Sequence, residues 1–176
     1  MSRIPYFEMT QAAAEYTAML EQRRPLNLYR MLPHAGPTAA MGFLKLGGAL
    51  LRENALDSRL RELVILRVGA LSNAEYEVYQ HRRVARSVGV SDEKIAAVAE
   101  NIDAPVFDET ERLILRFTDT VVRDVKAPAE LFDAVLARLD HRRLAELVLT
   151  IGFYMMVSRF LENFEVDIET PTAAAN

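Results

Sequence analysis

Apolar residues recur every three or four positions over most of the chain, a spacing typical of helices that bury one face. No run of alternating apolar and polar residues competes with this pattern, and the sequence therefore predicts an all-α fold. The predicted helical segments are 11–22, 26–32, 37–53, 58–71, 74–88, 92–100, 109–124, 128–139 and 141–164.

Several of these segments carry their own start and stop signals. Asp108 and Glu111 have the spacing of a capping box, and Pro37 is placed to open a helix as its first residue. Gly89 marks a C-terminal stop. The other expected N-caps are Asp57 or Ser58, Ser91 and Asp140.

A short repeat relates two of the predicted helices. Residues 59–66 read RLRELVIL and residues 143–150 read RLAELVLT, 84 positions later. Each segment begins an apolar helix that follows a helix of its own, which indicates a duplicated helical unit about a pseudo-twofold axis. A shared helix-start pattern is the alternative explanation of these eight residues.

Both repeat helices are apolar on nearly every side. The only charged residues in 60–71 are Arg61, Glu62 and Arg67, and 147–158 has none. Such helices must be covered all round, and a chain of 176 residues covers them poorly, so a homo-oligomer is expected. The alternative is a monomer core that encloses both helices.

Composition narrows the possible chemistry. The chain has no cysteine, which excludes disulfides, thiolate nucleophiles, Cys-ligated metals and thiol peroxidase activity. A net charge of −4 argues against a nucleic-acid partner, because phosphates require a basic surface. The N-terminus lacks a signal peptide, and the uncharged stretch 147–158 is shorter than a membrane span, so a cytoplasmic protein without membrane contact is expected.

The predicted helix 74–88 places two ionisable residues on an otherwise apolar face. Glu77 and His81 are four residues apart, so they are neighbours, and the carboxylate can hydrogen-bond the imidazole and raise its pKa. A short turn at 72–73 can bring Glu62 of the preceding helix close to this face. A half-buried cluster of two Glu and one His suits general acid/base catalysis.

Two other interpretations of this cluster stay open. It can be a buried ion pair that locks two helices or an oligomer interface. It can also bind a metal, although one His and two Glu without a second His are a poor transition-metal set. No metal and no cofactor are therefore expected.

These residues resemble those of a known family, the carboxymuconolactone decarboxylase and alkylhydroperoxidase D-like (AhpD-like) proteins. The peroxidase branch carries a Glu, a Cys-x-x-Cys pair and a His at spacings that fall here on Glu62, Ala74, Glu77 and His81. The segments RELVILR (61–67) and YEVYQH (76–81) are similar to the cysteine-free branch, in which a Glu takes the second cysteine position. The resemblance covers about residues 40–165.

The resemblance implies the domain organisation. Residues 37–168 would form the carboxymuconolactone decarboxylase-like domain, a duplicated all-helical unit assembled into trimers or hexamers. Residues 1–36 would form an N-terminal helical arm outside that core, which either roofs the pocket or holds a neighbouring subunit. Residues 169–176 are expected to be a frayed tail.

The resemblance also implies a reaction, because the decarboxylase that names the family acts without a cofactor on a small carboxylated lactone. The expected function is a cofactor-free lyase or isomerase for a small unsaturated carboxylic acid or lactone. His81 would donate a proton, Glu77 would orient it, and Glu62 would be a second acid or an oxyanion donor. An arginine such as Arg67 would offset the repulsion between these carboxylates and an anionic substrate. The alternative is a non-catalytic binding or assembly module on a peroxidase-type scaffold without cysteines.

Overall fold

Helices form the whole framework of the computed structural model, which describes residues 1–21 and 23–169. The α-helices are α1 Ala14–Leu20, α2 Asn27–Met31, α3 Pro37–Arg52, α4 Ser58–Leu71, α5 Glu75–Ser87, α6 Asp92–Glu100, α7 Glu109–Asp124, α8 Ala129–Arg138 and α9 His141–Phe164. Two short 3₁₀ helices cover Met9–Gln11 and Leu32–Ala35. No strand occurs in the described ranges, and the all-α prediction is confirmed.

The start signals read from the sequence act as expected. Ser91 and Asp140 cap α6 and α9 by accepting hydrogen bonds from backbone amides in the first turn. At α4 the cap is Asp57 rather than Ser58. The capping box of Asp108 and Glu111 is complete at the start of α7. These bonds satisfy amides that have no partner within the helix.

The N-terminal arm differs most from the prediction. In place of one helix over 11–22 it has the 3₁₀ turn and the shorter α1, and Gln22 lies outside the described residues. Neither short element has a capping side chain, and Thr10 lies inside the 3₁₀ turn. After α2 the chain continues as a 3₁₀ turn through Pro33, whose missing amide needs no partner in a first turn.

α4 lies at the centre of the fold and contacts α5, α6, α7 and α9. Every residue from Leu60 to Gly69 is buried. Val64 and Ile65 belong to a large core cluster shared with α9, whereas Leu63 and Leu66 belong to a second cluster shared with α6 and α7. Other helices of the same chain therefore cover α4. For this helix the structure agrees with the alternative given above, a monomer core that encloses it.

α9 is covered only on one side. Its inner residues, such as Leu147 and Ile151, are fully buried, but Val148, Leu149 and Met156 remain exposed along the opposite face. By length and mean hydropathy (1.6) α9 could cross a membrane, and half of that stretch is buried inside the fold. This burial is typical of a core helix.

The two repeat segments begin α4 and α9, which pack against each other. The residue that corresponds to Glu62 in the second copy is Glu146. Its Oε2 accepts a hydrogen bond from the Ala55 amide (2.7 Å), and its Oε1 pairs with Arg142. Glu146 thus holds the loop between α3 and α4, whereas Glu62 of the first copy contacts His81.

Candidate active site

A tight turn joins α4 to α5 and brings their polar residues together. Asn73 in this turn has a left-handed backbone conformation (φ 51°), which Asn tolerates better than most residues. Glu77 lies in the first turn of α5, where the helix dipole favours a carboxylate. The turn thereby sets Glu62 of α4 opposite Glu77 and His81 of α5.

His81 lies between the two carboxylates. Its Nδ1 is 2.6 Å from Glu62 Oε2, and because an ionised carboxylate only accepts, the imidazole donates this hydrogen bond. The other oxygen of Glu62 pairs with Arg61 Nε at 3.1 Å. Glu62, Glu77 and His81 are 0%, 3% and 8% exposed. The structure thus brings together the three residues that the sequence analysis selected.

Glu77 is bonded less completely than Glu62. Its Oε1 lies 3.1 Å from His81 Nε2, but the contact is poorly aligned and this buried oxygen has no hydrogen-bond partner among the described residues. A buried acceptor without a partner costs about 1–3 kcal/mol. Unlike Glu62, Glu77 is one of the residues that line a cavity.

The electrostatics of the site favour a charged imidazole. Burial alone would lower the pKa of His81, but the carboxylates of Glu77 and Glu62 outweigh it and raise the pKa to about 10. The Tyr154 ring contacts the imidazole edge to face, with centroids 5.0 Å apart. Burial and the same two carboxylates raise the pKa of the Tyr154 hydroxyl, which therefore stays protonated.

The cavity beside His81 has a volume of about 180 Å³, and we call it the His81 cavity. Helices α3, α5 and α9 and the N-terminal arm form its walls. Its lining residues are Arg23, Leu26, Leu28, Tyr29, Phe43, Leu44, Gly47, Leu51, Tyr76, Glu77, Gln80, His81, Arg83, Val84, Phe153, Tyr154 and Val157. Four residues of the arm are in this lining, so the arm roofs the cavity within its own chain.

The division of roles differs from the expectation. Glu62 does not line the cavity; it holds His81 from behind and is itself held by Arg61. Glu77, which was expected only to orient His81, reaches the cavity. The contact of Glu77 with His81 follows from sequence spacing, but the side of the imidazole that each carboxylate takes depends on the packing of α4 against α5.

Arg67 is not the arginine of the site. It donates two hydrogen bonds to Asp119 (2.6 and 2.7 Å) and two more to the carbonyls of Val98 and Ala99 at the end of α6. The arginines that line the cavity are Arg23 and Arg83. The fold of the N-terminal arm brings Arg23 to the cavity. The spacing of residues in the sequence therefore does not predict that Arg23 lies near Glu77 and His81.

Glu169 holds two lining residues of the cavity, Tyr76 and Gln80. Its carboxylate accepts hydrogen bonds from Tyr76 Oη (2.5 Å), the Asn27 amide (2.6 Å) and Gln80 Nε2. The expected frayed tail therefore does not begin at Glu169, and residues 170–176 lie outside the described residues. Within the described part of the chain, no group of three His, Asp or Glu side chains is arranged to hold a metal ion.

Comparison with known proteins relates the chain to a known family. Residues 37–120 match the model of the carboxymuconolactone decarboxylase family. This match and the AhpD-like structures described below support a carboxymuconolactone decarboxylase/AhpD-like family for the chain. It is 32% identical over 122 residues to the uncharacterised protein YnjA of Escherichia coli K12, a match that covers 66% of this chain and 64% of the relative. The match thus spans less than two thirds of that relative.

Solved structures show the same fold at lower identity. An AhpD-core, peroxidase-related protein of Ralstonia eutropha JMP134 superposes with a TM-score of 0.84 at 19% identity, over 96% of this chain and 92% of that one. The debrominase Bmp8, in complex with 2,3,4-tribromopyrrole, gives a TM-score of 0.79 at 17% identity, over 97% and 95%. The predicted AhpD-like fold is confirmed by these superpositions.

Proposed function

We propose that this protein is a cofactor-free lyase or isomerase that transfers a proton on a small unsaturated carboxylic acid or lactone. The observation that carries the proposal is the pair of Glu77 and His81 Nε2, which lie side by side on one wall of a cavity whose other lining residues are mostly apolar or aromatic. Glu77 supplies the carboxylate of a general base in the cavity wall, and Glu62, which does not line the cavity, fixes the imidazole.

The two groups can act in sequence. While Glu77 is ionised, it keeps the pKa of His81 near 10, so the imidazolium holds its proton. When Glu77 takes a proton from substrate carbon, the carboxylate that most raises the pKa of His81 is lost and the imidazolium becomes a stronger acid. His81 can then return a proton to another carbon, which shifts the double bond.

The same pair can serve a decarboxylation. The bond from the substrate carbon to its carboxylate breaks, carbon dioxide leaves, and the electron pair remains as a dienolate conjugated with the lactone carbonyl. The proton on His81 Nε2 then passes to that carbon. No external oxidant or reductant is needed, which agrees with a chain that has no cysteine.

The cavity supports a small ring as ligand. Phe43, Phe153 and Tyr154 provide aromatic walls, and the volume of about 180 Å³ suits one ring with a short substituent. A structural neighbour with the same fold, the debrominase Bmp8, binds 2,3,4-tribromopyrrole. By analogy, the same scaffold in this chain accommodates a small unsaturated ring.

Deuterium exchange tests the proposal whatever the product is. The protein is incubated in D₂O with β,γ-unsaturated cyclic acids and carboxylated butenolides, and deuterium uptake and loss of the carboxylate are followed by ¹H NMR. Glu77→Gln and His81→Asn should each lower the rate about 100-fold or more. Glu75→Gln, on the exposed side of α5, is the matched control and should leave the rate unchanged. Equal rates in all four proteins would refute the proposal.

The competing function, a non-catalytic binding or assembly module, makes the opposite prediction. It requires an occluded site, and the His81 cavity argues against it. If it were correct, no compound of the panel would exchange deuterium, and Glu77→Gln would change only stability or assembly.

We also propose that the protein works as a homo-oligomer. The exposed apolar residues Leu46 of α3 and Leu149 and Met156 of α9 form a surface that a second copy can cover. Met156→Lys should reduce the mass measured by light scattering after gel filtration. Ala96→Lys, at an exposed position of α6, is the control that should keep the mass. A monomeric wild-type protein would refute this proposal.

A further inference from the structure

Two adjacent glycines of α3 shape the cavity and its edge. A Cβ on Gly47 would lie 2.8 Å from Cζ of Phe153, so the missing side chain makes room for that ring. A Cβ on Gly48 would lie 2.5 Å from Arg52 Nη2 and 3.3 Å from Arg23 Nη2. Glycine inside a helix costs about 0.5–1 kcal/mol relative to alanine. In α3 the absence of side chains at these two positions allows an aromatic ring and two guanidinium groups to approach the helix backbone.

The two guanidinium groups that meet at Gly48 have no carboxylate partner among the described residues. Arg23 donates to the carbonyls of Met19 and Leu44, at 3.1 and 3.4 Å, and its side chain is half-buried. Its guanidinium also lies 6.0 Å from the centre of the Tyr29 ring. Like charges this close repel each other. A bound anion would relieve the repulsion.

The charges behind the cavity already balance each other. Glu62 faces Arg61, and Glu77 faces His81, whose raised pKa keeps it charged. Arg23 and Arg83 are the lining cations that remain without an acidic partner in the described ranges. Arg83 is exposed, and its described side-chain contact is with Gln80 (3.5 Å), whereas Arg23 is held in the roof.

We propose that Arg23 is the anion anchor of the His81 cavity and binds the carboxylate of a ligand with one six-membered unsaturated ring. The inference rests on the proposed function, because it places the substrate's carboxylate at the roof and its carbon skeleton at Glu77 and His81. A dry cavity of about 150 Å³ holds a benzene molecule, so about 180 Å³ admits one such ring with a carboxylate. A planar guanidinium matches a carboxylate with two parallel hydrogen bonds.

Binding of unreactive probes tests the anchor. Benzoate and benzamide have the same ring and nearly the same shape, but only benzoate is charged. Isothermal titration calorimetry of the wild-type protein should show benzoate binding at least about tenfold more tightly than benzamide. Arg23→Gln should remove this preference and leave benzamide affinity within about twofold. Arg24→Gln, at the exposed neighbouring position, should keep the preference.

Two further variants test whether the preference for benzoate depends on the shape of the Arg23 side chain and on Arg23 rather than Arg83. Arg23→Lys keeps the charge but loses the planar fork, so an intermediate preference for benzoate is expected. Arg83→Gln should leave the preference in place. The proposal is overturned if wild-type protein binds both probes equally, if Arg23→Gln keeps the preference, or if Arg83→Gln loses it.

The test separates this inference from the proposed function because neither probe reacts. If benzoate is preferred in an Arg23-dependent way but no substrate exchanges deuterium, the role of Arg23 as an anion anchor is supported and the proposed enzymatic function is refuted. If deuterium exchange depends on Glu77 and His81 but both probes bind equally, the proposed enzymatic function is supported and the role of Arg23 as an anion anchor is refuted.

Discussion

At the scale of single residues, the distinctive feature is an imidazole held between two carboxylates with different surroundings. Glu62 is fully buried and fixed by Arg61, whereas Glu77 borders the cavity with one oxygen unpaired. A ligand in the cavity can therefore contact Glu77 but not Glu62. Both carboxylates raise the pKa of His81.

Glu77→Gln should lower the pKa of His81, because the charge of Glu77 is the largest of the effects that raise it. The pKa is measured by ¹H NMR titration of the imidazole signals, and His81→Asn assigns the signal. Glu75→Gln carries the same change at an exposed position of α5 and should leave the titration unchanged. An unchanged midpoint in Glu77→Gln would mean that Glu77 does not interact with the imidazole.

The raised pKa of His81 should make stability fall at alkaline pH. The native protein holds this proton up to about pH 10, whereas an unfolded histidine loses it near pH 6.5. Between these values the native state binds more protons, so the free energy of unfolding decreases as pH rises. The stabilisation is complete below about pH 6.5 and is lost as pH passes about 10.

Urea unfolding of wild type and His81→Asn from pH 6 to 10 measures this effect. The difference in unfolding free energy between the two proteins should shrink steadily across that range. The exposed variant His141→Asn is the control, and its difference from wild type should not follow the same course. A difference that grows with pH would show that His81 is neutral in the native state.

At the scale of helices, the buried charges of α4 have separate tasks. Arg61 and Glu62 serve the candidate site, whereas Arg67 ties α4 to Asp119 of α7 and to the last carbonyls of α6. Arg67 and Asp119 are both nearly buried. Removing Arg67 would leave the buried Asp119 with only the exposed Arg123, at 3.6 Å, as a cationic partner among the described residues.

Arg67→Ala should therefore destabilise the fold by about 3–5 kcal/mol, measured as the free energy of unfolding in urea. Replacing both partners in Arg67→Met with Asp119→Leu should recover much of that loss. The exposed pair of Arg86 and Asp92 provides the comparison, and Arg86→Ala should cost less than about 1 kcal/mol. Similar losses in the two single variants would contradict the structural role given to Arg67.

Two glycines of α3 give a matched pair of substitutions. Gly47→Ala places a methyl group against Phe153, which should cost about 1–3 kcal/mol and narrow the His81 cavity. Gly42→Ala meets nothing within 4 Å and should stabilise the helix by about 0.5–1 kcal/mol. Thermal unfolding of both variants decides the matter. A stabilising Gly47→Ala would show that the ring moves aside.

Helices were predictable from the sequence where their signals are local. The capping residues Asp57, Ser91, Asp108 and Asp140 act within three positions of themselves, and the helices that they begin match the structure closely. Contacts between distant parts of the chain do not produce a periodic pattern in the sequence, so they were not predictable in this way. The ion pair from α4 to α7 joins residues 52 positions apart, and the roof over the cavity depends on the irregular arm.

In the candidate site, too, the local contacts were predictable from the sequence and the contacts between distant residues were not. The contact between Glu77 and His81 follows from their spacing of four on one helix. The proximity of Glu62 follows from the short turn between α4 and α5. The contributions of Arg23 and Glu169 come from opposite ends of the chain, and no pattern of residue types marks them in advance.

At the scale of the whole molecule, the first six residues are bonded to the segment that follows α9. Asp167 accepts hydrogen bonds from the Ser2 amide and Tyr6 Oη, both at 3.1 Å, and pairs with the N-terminal amino group at 3.0 Å. The Arg3 amide donates to the carbonyl of Phe164 at the end of α9. These contacts hold the arm whose residues roof the His81 cavity.

Asp167→Ala should loosen the arm without unfolding the core. Amide hydrogen exchange followed by mass spectrometry should become roughly tenfold faster in residues 2–30, while α4 and α9 keep their protection. Glu165→Gln removes one exposed ion pair with Arg3 and serves as the control with little change. Because Arg23 lies in this arm, Asp167→Ala should also weaken benzoate binding more than benzamide binding. Unchanged exchange in the arm would mean that its packing on α3, and not its contacts with Asp167, holds the arm over the cavity.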